Sequence, residues 1–236
     1  MLAPGLASTA DWRPQQFGDR RAATIADPII EPLWTGPRVL AHVDRGSVRL
    51  TDEEGAIVDH SGIETLPVIV SAIEQAMGGG SALFEAFLTR EPIQRPADIA
   101  LGDDVTIQTS GEAMTQLLVG ARGDRKSRLR ASEEEARLRT VEGATGRLAF
   151  VAVDLLWLDD QPLLDVPLLE RKRILESVLP ESDLVRVGIH VKPPIDPWLG
   201  SWRATGFRRL AYKAANSRYL PGRKNQEWAL ATIPTR

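Results

Sequence analysis

Lysine is the scarce reagent in this sequence. Of 29 basic residues only five are lysines (Lys126, Lys172, Lys192, Lys213 and Lys224), against 24 arginines. A GC-rich genome explains such a ratio by codon bias, yet the scarcity also gives each amine more weight as a possible reagent. Lys213 closes the run Arg208-Arg209-Leu-Ala-Tyr-Lys, and Arg218, Arg223 and Lys224 follow it closely. Cations so grouped suit phosphate contacts without base reading. Glu85 is the lone carboxylate of the apolar run Ala82 to Leu88. The absence of cysteine excludes disulfides, thiolate metal sites and cysteine nucleophiles. His42, His60 and His190 are too scattered to suggest a histidine-built zinc site.

The elements that must carry these groups are legible in outline. A length of 236 residues suits one large domain or two small ones, and 43% hydrophobic residues supply a core. The net charge of -3 argues against a globally basic nucleic-acid coat but leaves room for a local basic patch. No apolar run reaches membrane-spanning length, and the N-terminus lacks a basic start and an apolar core, so a cytoplasmic protein without membrane contact is expected. Residues 1–23 read as a mobile lead-in. Val39 to Val43 and Ser47 to Leu50 flank Asp44-Arg45-Gly46 as a hairpin. Leu66 to Met77 has Pro67 in its first turn and stops at three glycines, which predicts a helix.

Residues 120–147 read as a charged insertion, mobile and solvated, with Ser132 and Glu135 at capping-box spacing. Phe150 to Leu158 predicts a buried strand, and Pro167 to Leu179 an amphipathic helix with Leu168, Leu169, Ile174, Leu175 and Val178 on one face. Leu184 to Val191, Arg208 to Tyr212 and Trp228 to Ile233 read as three further strands. Trp198 and Trp202, at i,i+4 spacing, read as core aromatics of one helix face, or else as a protein contact surface together with the Arg-rich segment 120–130. Strands outnumber helices without strict alternation, which favours α+β with antiparallel sheets.

Two stretches carry a resemblance. Residues 151–179, VAVDLLWLDDQPLLDVPLLERKRILESVL, resemble the segment of ATP-dependent DNA ligases that runs Phe-Asp-Leu-Leu, a Leu-Asp-Gly turn and a leucine-rich helix with Glu-Arg-Lys. Residues 206–233, GFRRLAYKAANSRYLPGRKNQEWALATI, resemble that family's later run of Glu-Gly-(two hydrophobics)-Ala-Lys, Ser-x-Tyr-x-Pro-Gly-Arg and a Trp leading into Lys-x-Lys. EPLWTGPR at 31–38 then falls where the family has Glu-x-Lys-x-Asp-Gly-x-Arg, and ALFEAFL where it has Leu-Asp-Gly-Glu. From residue 24 to 236 the chain is thus similar to the adenylation domain of those ligases. The resemblance implies an α+β nucleotidyltransferase fold of the ligase and mRNA-capping-enzyme type (ATP-grasp-like), with antiparallel sheets flanked by helices. The OB-fold domain into which active ligases continue is not expected here.

The family's first step attacks the α-phosphate of ATP with a lysine amine beside Mg²⁺. Here the nucleophile's position holds Leu33, which has no lone pair, so no catalytic residue is expected there. Thr35 replaces the adjacent aspartate, Arg208 the second acidic metal ligand, Arg209 the neighbouring glycine, Val153 the aromatic that stacks on adenine, and Leu230 and Thr232 the two phosphate lysines. Glu31, Arg38, Glu85 and Lys213 match the family's pattern, and by that match are the nucleotide-binding candidates. Arg38 would reach ribose or nucleic-acid phosphate, or else form a surface ion pair. Glu85 would touch ribose or metal, or else lie on the solvent face of its strand. No metal site is expected beyond this possible remnant at Glu85. Asp154, Tyr219 and Trp228 read as structural.

These departures predict a non-catalytic ligase-like domain that needs no cofactor. It would act on nicked or double-stranded DNA, or on a DNA-repair protein, through Arg208, Arg209, Arg218, Arg223 and Lys224. A rival reading keeps ATP and Mg²⁺ and makes Lys213 a displaced nucleophile, and a third is a protein-interaction remnant that binds neither ATP nor DNA.

Overall fold

The turn expected at Asp44-Arg45-Gly46 is where the first hairpin closes. In the computed structural model, which describes residues 12–58, 66–89, 148–182 and 184–234, strands β3 (Arg38–Asp44) and β4 (Ser47–Thr51) pair with Asp44 opposite Ser47. Arg45 and Gly46 between them both take positive φ, the geometry whose twist matches two antiparallel strands. β5 (Ser81–Thr89) lies on the other side of β3, followed by β6 (Ala149–Leu158) and the two-residue β7 (Gln161–Pro162). The short β8 (Val185–Val187) runs parallel to β6 and completes this six-stranded sheet.

Helix α1 (Leu66–Met77) buries Leu66, Ile69 and Ile73 and ends in positive-φ Gly78 and Gly79. With Leu175 and Leu179 near the end of α2 (Leu168–Val178), it covers the face of the sheet that shows Val39, Ala41, Phe84, Ala86 and Ala152. The opposite face looks onto a three-stranded antiparallel sheet in which β2 (Pro28–Pro32) and β11 (Trp228–Thr232) flank β9 (Arg209–Ala214). Ile29, Leu40, Leu83, Leu156, Tyr219 and Trp228 fill the space between the sheets. The outer face of the small sheet, Ile30 and Leu210, packs on α3 (Asp196–Ala204), whose Trp198 and Trp202 stack with centroids 6.1 Å apart. Trp202 is wholly buried, so the core-aromatic reading holds for it.

The segment expected to be mobile is docked from Trp12 onward. After β1 (Gln16–Phe17) come a 3₁₀ turn (Ala22–Thr24) and β2. β1 pairs in parallel with β10 (Lys224–Asn225), and Gly222 N donates to Arg13 O, Gln16 N to Arg223 O and Gly18 N to Trp228 O. Trp12 and Gln15 are buried; an apolar or amide group with such partners does not stay in solvent. The strand expected over 184–191 stops at Val187; Gly188 N still donates to the Ala152 carbonyl, and a Cβ added there would come within 3.1 Å of the Val153 side chain. The charged insertion at 120–147, with Lys126 and its capping box, and His60 lie outside the described residues. Among the described residues no helix is long and apolar enough to cross a membrane.

Candidate functional site

Antiparallel register places the chemistry on one face of the small sheet. Opposite residues share a face, so Ile29 and Glu31 of β2 lie beside Lys213 and Ala211 of β9, and these beside Trp228 and Leu230 of β11. The row continues outward with Arg209 beside Thr232, and with Leu33, whose N–H donates to the Arg209 carbonyl. Leu33, Leu230 and Thr232, the three positions where the family pattern has lysines, therefore ring the same surface as Lys213. A cleft opens between this surface and the large sheet, lined by Phe17, Glu31, Pro32, Leu33, Trp34, Arg38, Glu85, Phe87, Val153, Ala211 and Lys213. Its empty volume is about 250 Å³, its open mouth included.

The floor is charged and internally paired. Glu31, 4% exposed, holds two ammonium groups, Lys172 2.7 Å from Oε1 and Lys213 2.9 Å from Oε2. Burial by itself raises the Glu31 pKa, but the two lysines outweigh it and lower the carboxyl from 4.5 to about 2. The Lys213 pKa is lowered too, here because burial disfavours its charged form; Glu31 resists the change and Lys172 adds to it. Its ammonium also lies 4.3 Å from the Trp228 ring centroid, a cation–π contact. Lys172 reaches this floor from α2 and donates to the Val153 carbonyl at 2.5 Å.

A second knot lies on the large sheet. Arg38 donates through Nε and Nη2 to Glu85 Oε1, at 2.9 and 2.6 Å, and through Nη2 to the Gln15 carbonyl. The Tyr219 hydroxyl donates to the other Glu85 oxygen and accepts from Gln15 N. Glu85 is thus buried, not on a solvent face, whereas Arg38, besides its buried pair with Glu85, has Nη1 3.8 Å from the exposed Glu53. Beside them Asp154 takes both arms of Arg171 at 2.8 Å, with neither side chain exposed. The three knots hold four cations against three buried carboxylates, and exposed Glu53, 3.8 Å from Arg38, supplies a fourth.

The basic candidates are dispersed. Arg208 turns its guanidinium onto the carbonyls of Arg203, Gly206 and Phe207, where α3 ends, so it caps a helix dipole. Arg209 is exposed on the cleft row. Beyond the far end of β9, Arg218 is 3.3 Å from Asp165, Lys224 pairs with Asp19 at 3.0 Å, and Arg223 is exposed. β9 lies between the two groups, with Arg209 at its start and Arg218, Arg223 and Lys224 after its end at Ala214.

Sequence reasoning assigned no role to Lys172, Arg171 or Gln15, and read Tyr219 as structural only. The available signal was the spacing itself: Leu168, Arg171, Lys172 and Leu175 fall at i, i+3, i+4 and i+7, which puts the two cations on the helix's buried face.

The implied Mg²⁺ and ATP find a poor donor set among these residues. Glu31 and Glu85, the carboxylates that line the cleft, each already hold cationic or hydroxyl donors on both oxygens, whereas Mg²⁺ demands free, near-octahedral oxygens. Among the described residues no cluster of three or more His, Asp or Glu could hold a metal. Val153 offers a purine no π surface.

In architecture the chain is a nucleotidyltransferase domain of the DNA-ligase type. It is similar to the ligase domain of LigD from M. tuberculosis, with a TM-score of 0.57 at 19% identity over 92% of this chain and 58% of that one. It also resembles a mycobacterial DNA ligase D solved with ATP and MES, with a TM-score of 0.54 at 18% identity over the same shares. The family model of the ATP dependent DNA ligase domain matches residues 98–229, more than half of the chain, and the chain belongs to that family. Proteins named "Probable DNA ligase" from Mycobacterium sp. strains KMS, JLS and MCS are 28% identical across 97% of this chain. The match covers 46% of their length, so this chain spans a little under half of the relatives it matches.

Proposed function

We propose that this domain is a non-catalytic member of the ligase family and works by binding DNA, or a DNA-repair partner, without forming a lysine adenylate. The observation that carries this reading is the cleft row itself. Leu33, Leu230 and Thr232 leave Lys213 as the one lysine on that face, and Lys213 is already held by Glu31. Residues that act as a unit leave little activity when several are replaced together. The DNA arm rests on Arg209 at the cleft mouth and on Arg218, Arg223 and Lys224 beyond the far end of β9.

A titration of nicked duplex across a salt series tests this. Expected is affinity that falls steeply with salt and weakens uniformly in Arg209→Glu and Arg223→Glu. No affinity at low salt, or affinity indifferent to salt, refutes the DNA arm and directs attention to a protein partner, which co-purification would identify.

One observation favours a second reading, in which Lys213 serves as a displaced nucleophile with ATP and Mg²⁺. Burial and Lys172 lower its pKa, as nucleophilic lysines require, and it lines the cleft. Labelled ATP with Mg²⁺ followed by denaturing electrophoresis separates the two. Covalent label that vanishes in Lys213→Ala establishes the second, and an unlabelled band supports the first.

A further inference from the structure

The strap of residues ahead of β2 is pinned on its inner side and charged on its outer side. Gln15 is held through both backbone groups and its side chain. Its N–H donates to the Tyr219 hydroxyl at 2.9 Å, its carbonyl accepts from Arg38 Nη2 at 2.7 Å, and its Oε1 accepts from Leu220 N. Trp12, Pro14 and Gln15 are buried, whereas Arg13, Gln16, Asp19, Arg20 and Arg21 are exposed. The pinning seats these exposed residues against a segment 205 positions further along the chain. Gly222 N donates to the Arg13 carbonyl, Gln16 pairs with Lys224, and both oxygens of Asp19 lie 3.0 Å from Lys224 Nζ. Residues 12–21 and 218–224, joined in this way, carry Arg13, Arg20, Arg21, Arg218, Arg223 and Lys224 against Asp19 alone, in a chain of net charge -3. Among the described residues no carboxylate forms an ion pair with Arg20, Arg21 or Arg223.

We infer that this seam is a phosphate-binding surface for duplex DNA, in which Arg13, Arg20 and Arg21 of the strap act together with Arg218, Arg223 and Lys224. The inference rests on the DNA reading above and extends it to a segment that precedes the ligase-like motifs. Cations gathered on one seam of an acidic molecule attract a polyanion, and each phosphate they neutralise releases counterions. Five of the six are arginines, whose planar fork matches a phosphate with two parallel hydrogen bonds. The pinned backbone is ordered before the partner arrives, so binding costs little beyond the freedom of the side chains themselves. A duplex that bridges the two segments also holds the strap against β10.

Binding of nicked duplex over a salt series decides it. The proteins compared are the parent, Arg209→Glu, the strap triple Arg13→Gln/Arg20→Gln/Arg21→Gln, and a matched triple Arg45→Gln/Arg173→Gln/Arg186→Gln away from the seam. The strap triple should bind more weakly at every salt concentration. Its slope of log K against log salt should become shallower by ~1 for each arginine that meets a phosphate. The matched triple should keep the parent's slope. Hydrogen exchange supplies a readout that net charge does not move: the duplex should slow the Gln16, Gly18 and Gly222 amides, which bond across the seam or onto β11. No binding by the parent sinks the DNA reading and this surface with it. Binding that Arg209→Glu weakens and the strap triple leaves unchanged overturns this surface alone. Equal losses in the two triples, or seam amides whose exchange the duplex does not slow, overturn it as well.

Discussion

Glu31→Gln should be among the most damaging single-atom changes in this domain. The carboxylate sets one oxygen against each ammonium, Oε2 accepting from Lys213 and Oε1 standing 2.7 Å from Lys172, and an amide has only one oxygen to offer. At least one buried ammonium must then face an N–H₂ group. The lowering of the Glu31 pKa from 4.5 to about 2 corresponds to about 3 kcal/mol of stabilisation present at neutral pH. Removing one partner of a buried ion pair costs a similar ~3–5 kcal/mol. Because the folded-state pKa lies below the unfolded one, this stabilisation is complete above about pH 4.5 and fades as pH falls toward 2. The assay is urea unfolding followed by the fluorescence of the six tryptophans, at pH 7 and at steps down to pH 3. The variant should lie ~3 kcal/mol or more below the parent at pH 7, and the gap should narrow on acidification. A gap under ~1 kcal/mol at pH 7, or one that ignores pH, would refute the reasoning that Glu31 carries the two lysines.

Acid should weaken the fold before Glu31 titrates. Burial, aided by Arg49 at His42 and by Lys172 at His190, lowers both imidazoles from 6.5 to about 4, so protonation favours the unfolded chain and stability declines as pH drops from 6.5 to 4; a His190→Gln variant should show a shallower decline. Gly36→Ala should destabilise by more than ~1 kcal/mol, read as a lower melting temperature, since Gly36 has φ +101° and an added Cβ would sit 2.1 Å from the Leu88 carbonyl. Leu33→Lys alone should leave nick sealing undetectable in a gel assay, because Leu230, Thr232 and the occupied carboxylates remain; sealing by that single change would overturn the argument from joint loss.

Punctuation residues made much of the architecture readable. Helix α1 begins and ends where Pro67 and the glycines at 78–80 place its boundaries, and the β3–β4 hairpin closes on its own Asp-Arg-Gly. These signals are local, so no tertiary knowledge is needed. The strand around Val185 was overextended because its apolar run continues past the point where Gly188 meets β6, a constraint set by a distant chain segment. In the site, the motif positions of Glu31, Arg38, Glu85 and Lys213 were legible, and the structure brings all four to one cleft. What periodicity concealed were the counter-charges. The spacing of Arg171 and Lys172 between Leu168 and Leu175 already puts them on the buried face, but it says nothing of the partners, Asp154 for Arg171 and Glu31 for Lys172, that make that burial tolerable. The helix-capping geometry of Arg208 was likewise invisible, since it depends on where α3 stops.

The docking of β1 against β10 has a consequence for how the domain assembles over time. Gln15 joins Leu220 across 205 residues, and Phe17, which lines the cleft, rests on Trp228. One wall of the cleft is made by the first described residues, and the residues that hold it in place lie some 205 positions further along the chain. During synthesis at roughly 5–20 residues per second, that segment must wait at least ten seconds or so for its partners. The large sheet can pair β3, β4 and β5 among themselves meanwhile. Trp12 can find Trp157 as soon as β6 is made, but until the nascent chain has delivered β9 to β11, Phe17 lacks the Trp228 ring it rests on and the cleft has one wall missing.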